Sequence, residues 1–157
     1  MDQTDRSILS LLQKQGRLSN QQLAEEVGIS TAACWRRVRA LEKSGIIASY
    51  AALLDRRQLG LNLCAYVHVL LARHRQQSTT SFEAAVRHRE EVQECYATTG
   101  DADFILRVVT RDIESFDAFL EDFLFGLPEV SQVRSNIALR ELKFATTLPL
   151  PDSSHSK

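Results

Sequence analysis

Arg36, Arg37, Arg39 and Lys43 stand within eight residues, and no acid interrupts them before Glu42. Guanidinium groups bridge phosphate oxygens and pair bidentately with guanine O6 and N7, so this spacing suits a helix lying in the major groove of a duplex. A second group, Thr98-Thr99-Gly100-Asp101-Ala102-Asp103, sets hydroxyls and carboxylates beside a glycine. A carboxylate such as Asp103 can accept hydrogen bonds from an ammonium group. Backbone N–H groups and the Thr98 or Thr99 hydroxyl can hold a carboxylate, and Gly100 lets the backbone approach a ligand. Taken alone, Gly-Asp is also a common hairpin dipeptide, and the residues by themselves favour an ordinary turn. His68, His74, His88 and His155 lack metal-ligand spacing, and Cys95 has no recognisable base beside it, so no catalytic residue, metal or cofactor is expected.

The basic cluster needs a helix to present it. Asp2 or Thr4 can cap a first helix to about Gln15, with Ile8, Leu9, Leu11 and Leu12 inward. Ser19 and Gln22 form a capping box for a short second helix ending at Gly28. Ser30 or Thr31 caps a third helix to Ser44, with Cys34, Val38 and Leu41 inward. The brief glycine-containing turn between the second and third helices is the connection of a helix-turn-helix, and small Ala24 permits a close crossing. Ile46 to Leu54 has strand composition, which predicts a hairpin or wing.

On this frame Ser30, Thr31, Ala32 and Ala33 approach the groove, Arg36 and Arg39 reach base edges, and Asn20, Gln21 and Lys43 reach phosphates of double-stranded DNA. Arg37 belongs to the same surface or pairs with a carboxylate of its own domain such as Glu42. On that second reading Trp35 is partly buried core. A protein-interaction module is the alternative use of such a domain, but the turn, caps and charge together favour DNA.

The chain has 157 residues, 44% apolar and 25% charged, with net charge −1. Residues 1–50 hold seven Lys/Arg against five Asp/Glu, and the rest hold 12 against 15, so the first third is mildly basic. The longest apolar stretch, Leu61–Ala72, falls short of the roughly 20 residues a membrane span needs. No signal peptide is visible, and a cytoplasmic location without membrane association is expected. Cys34, Cys64 and Cys95 are too few and too scattered for a disulfide framework and read as small buried thiols.

After a polar connection at Arg56–Gly60, the pattern is a strand from Leu63 to about Ala72 and a helix from about Ser81 to Arg89 with Thr80 and Glu83 as its capping box. A strand from Val92 to Thr98 and another from Phe104 to Thr110 follow. Asp112 then caps a helix carrying Ile113, Phe116, Leu120, Phe123 and Leu124, and a long strand runs from Val130 to Leu142. The fold class is therefore α+β: an N-terminal winged helix-turn-helix and a ferredoxin-like βαββαβ domain. The expected boundaries are 1–55 for the DNA-binding domain, 56–61 for the linker, 62–150 for an effector-binding and oligomerisation domain, and 151–157 for a mobile polar tail. Both helices of the second domain lie on one sheet face. The first strand is apolar on both sides, with Leu63, Ala65, Val67, Val69 and Leu71 on one and Cys64, Tyr66 and Leu70 beside His68 on the other. A homodimer packed sheet against sheet is expected to cover the second face.

Along Cys34-Trp35-Arg36-Arg37-Val38-Arg39-Ala40-Leu41-Glu42-Lys43-Ser44-Gly45-Ile46-Ile47 the sequence resembles the Lrp/AsnC family of feast/famine regulators. Asp5-Arg6-Ser7-Ile8-Leu9, Leu23-Ala24, Val27-Gly28-Ile29-Ser30, Gly100-Asp101-Ala102-Asp103 and Thr146-Thr147-Leu148-Pro149-Leu150 extend the likeness over nearly the whole chain. The resemblance implies a transcription regulator with an amino-acid effector, and dimers that assemble further, up to octamers. It turns the Thr98–Asp103 loop from a simple turn into part of an effector pocket: Thr98, Thr99, Gly100, Asp101 and Asp103, joined by Asn136 and Ala138 from the last strand. The rival readings are a small enzyme or metabolite-binding protein using the second domain, which should display a paired acid and base, and a DNA-organising protein without sequence preference or ligand response.

Overall fold

The structure, a computed structural model, describes residues 1–72 and 76–151, so His74, His155 and residues 152–157 of the expected tail lie outside the described residues. The chain divides into two compact units, Met1–Leu53 together with the chain from Lys143 onward, and Leu54–Leu142.

In the first unit, α1 spans Gln3–Lys14, α2 Asn20–Val27 and α3 Thr31–Lys43. Local chemistry sets each start. The Asp2 carboxylate accepts from the Asp5 amide at 2.9 Å and the Asp5 carboxylate from the Asp2 amide at 3.0 Å. Ser19 and Gln22 make the same reciprocal pair at 3.2 and 2.9 Å, and Ser30 Oγ accepts from the Ala33 amide at 3.3 Å. Each such cap contributes about 1 kcal/mol by satisfying amides that lack a helical partner. Gly28, at φ 74°, takes the left-handed conformation that stops α2. Ile8, Leu9, Leu23, Ala24, Cys34, Val38 and Leu41 form the core, and buried Ala24 allows the close crossing.

Two features of this unit differ from expectation. Residues 46–54 form no strand, because the described residues supply no partner for the amide ladder a strand requires. The C-terminal segment, expected to finish the second domain, lies on the helical unit instead. Leu150 packs against its core, and the Gln13 side chain donates to the Leu148 carbonyl at 3.2 Å and accepts from the Leu148 amide. The Arg6 guanidinium reaches the Pro151 carbonyl at 3.3 Å.

The second unit is a four-stranded antiparallel sheet in the order β2-β3-β1-β4, where β1 is Leu63–Leu71, β2 Val92–Ala97, β3 Phe104–Thr110 and β4 Val130–Ile137. Helices α4, Gln76–Arg87, and α5, Ile113–Phe119, cover one face. Phe82, Val86, Phe116, Phe119, Phe123 and Leu124 pack there on Ala65, Val67, Val69, Leu106 and Val108. Asp112 caps α5, accepting from the Ser115 amide at 2.8 Å.

Several boundaries shift from those expected. Helix α4 begins at Gln76, so Thr80 lies inside it and cannot cap it. A π-helical turn, Leu120–Leu124, continues α5; Ile113 at the start of the helix is half exposed, and Phe119 is buried. The last strand stops at Ile137, and the Ala138 amide closes its end on the Cys64 carbonyl at 2.8 Å. Cys34 and Cys64 are buried as expected, whereas Cys95 is exposed.

Candidate nucleic-acid interface and effector cleft

Helical spacing decides which side chains of α3 can meet a duplex. Cys34, Val38 and Leu41 face the core, so the opposite stripe consists of Ala32, Arg36, Arg39 and Lys43, all exposed. Arg36 and Lys43 have no acidic partner among the described residues. Thr31 and half-buried Ala33 flank this stripe on opposite sides. At the start of α2, Gln21 is exposed with its amide 3.2 Å from Glu25 Oε1, while Asn20 is half-buried. The Ser30 hydroxyl is engaged as the α3 cap.

Arg37 differs from its neighbours. Its Nη1 lies 2.7 Å from both Asp2 Oδ2 and Asp5 Oδ1, which clamps the start of α1 to the middle of α3. The pairing with a domain carboxylate is therefore present, but with Asp2 and Asp5 rather than Glu42. The two carboxylates, Asp5 foremost, push the Arg37 pKa up. The Asp2 pKa is lowered, first by the Asp5 amide and then by Arg37. A carboxylate depressed on folding stabilises above its unfolded value, about 3.8, and loses that contribution as pH falls through the lower folded value. Acid titration of stability should therefore show a decline below about pH 4 that is shallower, though not abolished, in Arg37→Ala, because the Asp5 amide remains.

Glu42 partners Arg39: Nη1 stands 3.3 Å from Glu42 Oε2, and the guanidinium lies 5.8 Å from the centre of the Trp35 ring. The Tyr50 hydroxyl donates to the other Glu42 oxygen, Oε1, at 3.1 Å. Trp35 is half exposed. Sequence reasoning missed this cluster because Tyr50 falls in a segment read as strand.

In the second unit, an open cleft of about 690 Å³ lies where the β2–β3 loop meets the sheet face away from the helices. Thr98, Thr99 and Asp101 line it from the loop, and His68, Arg134 and Asn136 from β1 and β4. The antiparallel register sets His68 opposite Arg134 and Tyr66 opposite Asn136, with Asn136 Nδ2 3.5 Å from His68 Nε2. The Thr98 hydroxyl donates to the Ala102 carbonyl at 2.7 Å, which leaves its oxygen free to accept.

The structure does not bring Gly100, Asp103 and Ala138 into the lining. Asp103 instead joins two parts of the fold. Its carboxylate accepts from the Leu71 amide at 2.8 Å, its amide donates to the Val69 carbonyl at 3.0 Å, and its carbonyl accepts from the Thr98 amide at 2.9 Å. Gly100 has φ 127° with open space where a Cβ would sit, so backbone conformation is what favours glycine there within this chain. His68 and Arg134 were not anticipated as cleft residues. Arg134 lies two residues before Asn136 on one strand, so the period of two already placed both on one face.

The sequence matches a winged helix-turn-helix DNA-binding family over residues 1–48 and the Lrp/AsnC ligand-binding domain over residues 64–148. The leucine-responsive regulatory protein of Salmonella typhimurium is 38% identical over 94% of this chain and 90% of its own length. That of Escherichia coli K12 is 37% identical over the same shares. Among solved structures, a Neisseria meningitidis transcriptional regulator in complex with L-methionine superposes with TM-score 0.92 at 38% identity, covering 95% of this chain and 96% of that one. Escherichia coli AsnC gives 0.87 at 25% identity, over 95% and 99%.

A helix-turn-helix module followed by a ligand-binding ferredoxin-like domain defines a DNA-binding transcription regulator with a sensory half. This chain belongs to the Lrp/AsnC family of such regulators, whose members act as regulators and not as enzymes.

Proposed function

We propose that this regulator binds operator DNA as a homodimer through α3 and responds to an amino acid held in the cleft between the Thr98–Asp101 loop and β4. The observation that carries the effector reading is the presence of Asp101 and Arg134 around one cleft. An α-amino acid is a zwitterion, and opposite charges set across a concavity match its two ends. Asp101 takes the ammonium group, in place of Asp103, whose carboxylate already holds Leu71. Arg134 and the Thr98 and Thr99 groups take the carboxylate, while Asn136 orients the remainder. L-Methionine in the Neisseria meningitidis relative supports this class of ligand.

In the DNA reading, Arg36 and Arg39 contact base edges, Thr31, Ala32 and Ala33 approach the groove, and Asn20, Gln21 and Lys43 hold phosphates. Ser30 contributes through its cap, and Arg37 by holding α1 against α3. The open sheet face carries Tyr66, 43% exposed, and Tyr96, 60% exposed. Aromatic groups on a face of this kind support a second copy packed sheet to sheet; further assembly of dimers up to an octamer is what the family resemblance implies. A double-stranded DNA partner supports a cytoplasmic location. No helix among the described residues is long and apolar enough to cross a membrane.

Thermal-shift titration with the proteinogenic amino acids tests the cleft. A subset should raise Tm in proportion to log concentration, because a ligand binding only the folded state stabilises it by mass action. Asp101→Ala and Arg134→Ala should each abolish that shift while remaining folded. A shift that survives both substitutions would place the effector elsewhere. Sedimentation of the same samples reads the assembly, and a monomer at micromolar concentration would remove the dimer.

A further inference from the structure

We propose that Tyr50 and Glu42 are positioning residues for sequence readout: together they aim the Arg39 guanidinium before DNA arrives, so operator specificity depends on a residue outside the helix-turn-helix. The inference rests on the reading of Arg39 as a base-contacting residue.

The geometry is a short chain of contacts inside the helical unit. Tyr50 donates to Glu42 Oε1 at 3.1 Å, which leaves Oε2 for Arg39 Nη1 at 3.3 Å. The guanidinium carbon lies over the Trp35 ring, 5.8 Å from its centre. Glu42 is the only acid of α3, it stands on the flank of the DNA-facing stripe, and its side chain is 29% exposed beside an Arg39 that is 66% exposed. A carboxylate placed next to a DNA-facing surface repels phosphate, so on charge alone Glu42 weakens binding. Buttressing an arginine offsets that cost. The guanidinium is a planar fork, and a carboxylate fixed at one edge leaves the opposite edge to meet guanine O6 and N7.

An unheld arginine must lose its rotamer freedom when it pairs with a base. An arginine already held by Glu42 and Trp35 has lost part of it in the free protein. Glu42 can itself turn in more than one direction, and the Tyr50 hydroxyl selects the orientation that points Oε2 at Arg39. Arg36, on the same stripe, has no such partner among the described residues, so the two arginines contribute differently: Arg36 adapts, while Arg39 is preset.

The test compares affinity for an operator selected by this protein from random duplexes with affinity for unselected duplex of equal length. Tyr50→Phe removes only the hydroxyl. It should lower the operator-to-random ratio by about three- to tenfold, with affinity for random duplex unchanged within about twofold. Glu42→Gln should lower the ratio similarly while raising affinity for random duplex, because a repelling charge is gone. In an Arg39→Ala background, Tyr50→Phe should have no further effect on the ratio. Trp35 is the sole tryptophan, so its emission should shift in Tyr50→Phe while circular dichroism stays unchanged. A Tyr50→Phe loss that persists without Arg39, that affects both duplexes equally, or that fails to appear overturns the proposal. If Arg39→Ala itself leaves the ratio intact, both this proposal and the base-contact role of Arg39 fall; if only Tyr50→Phe is silent, the role of Arg39 stands alone.

Discussion

Changing Arg36 and Arg39 together to alanine is expected to reduce operator affinity by a factor on the order of a hundred to a thousand, since a bidentate arginine–guanine contact contributes about 1–3 kcal/mol. The two residues lie on the exposed stripe opposite Cys34, Val38 and Leu41, and alanine is the best helix former, so the helical unit should remain folded. Binding should become nearly indifferent to sequence, and the salt dependence of what remains should flatten as cationic charge leaves the interface. Lys43→Ala provides a contrast: it should weaken operator and random duplex about equally, because a phosphate contact carries no sequence information. Arg37→Ala should cost less operator affinity than either, since its guanidinium is held by Asp2 and Asp5. Fluorescence anisotropy across a salt series, with circular dichroism as the folding control, measures all of these. Unchanged operator affinity in a folded double variant would remove α3 as the reading surface.

The parts of this molecule legible in its sequence are those set by neighbours a few residues apart. The Ser19 and Gln22 capping box, the Gly28 stop and the Asp112 cap involve partners within four residues, and they appear where local chemistry puts them. The two faces of β1 follow from alternation alone, because a strand has a period of two. What was not legible depends on partners far along the chain. Asp103 looked like a free carboxylate in a loop, yet its partner is the Leu71 amide, 32 residues away. Arg37 was matched to Glu42 on its own helix, whereas its partners come from the start of α1. Gln13 meets Leu148 across 135 residues, and no local pattern announces that the chain's end returns to its beginning. Residues 46–54 have the composition of strand, but composition cannot supply the neighbouring ladder a strand needs. In the candidate effector site the loop was visible in the sequence, and the strand period put Arg134 on the face of Asn136, while the pairing that sets His68 opposite Arg134 entered only with the antiparallel register.

Phe82→Ala is expected to have the largest effect on stability, and to confine it to the sensory half. Phe82 is fully buried on α4, and its ring centre lies 4.8 Å from that of Phe104 at an angle of 41°. Truncating a buried phenylalanine removes both its transfer free energy and the contacts of the walls it leaves, at a cost of about 3–5 kcal/mol. Against the 5–15 kcal/mol typical of a whole domain, that loss is large. Phe104 directly follows Asp103 and Ala102, so the loosened site adjoins the cleft, and the amino-acid thermal shift should weaken along with the fold. The helical unit has its own core cluster, which shares no member with that of the sheet. Because the sole tryptophan belongs to the helical unit, its fluorescence reports that unit, while far-ultraviolet circular dichroism sums over both. In urea, the circular dichroism transition of Phe82→Ala should begin at lower denaturant and separate from the Trp35 transition, the mark of unfolding that is no longer two-state. Two transitions that move together by the same amount would show that the units unfold as one, and a loss under about 1 kcal/mol would show that α4 collapses onto the sheet to fill the space.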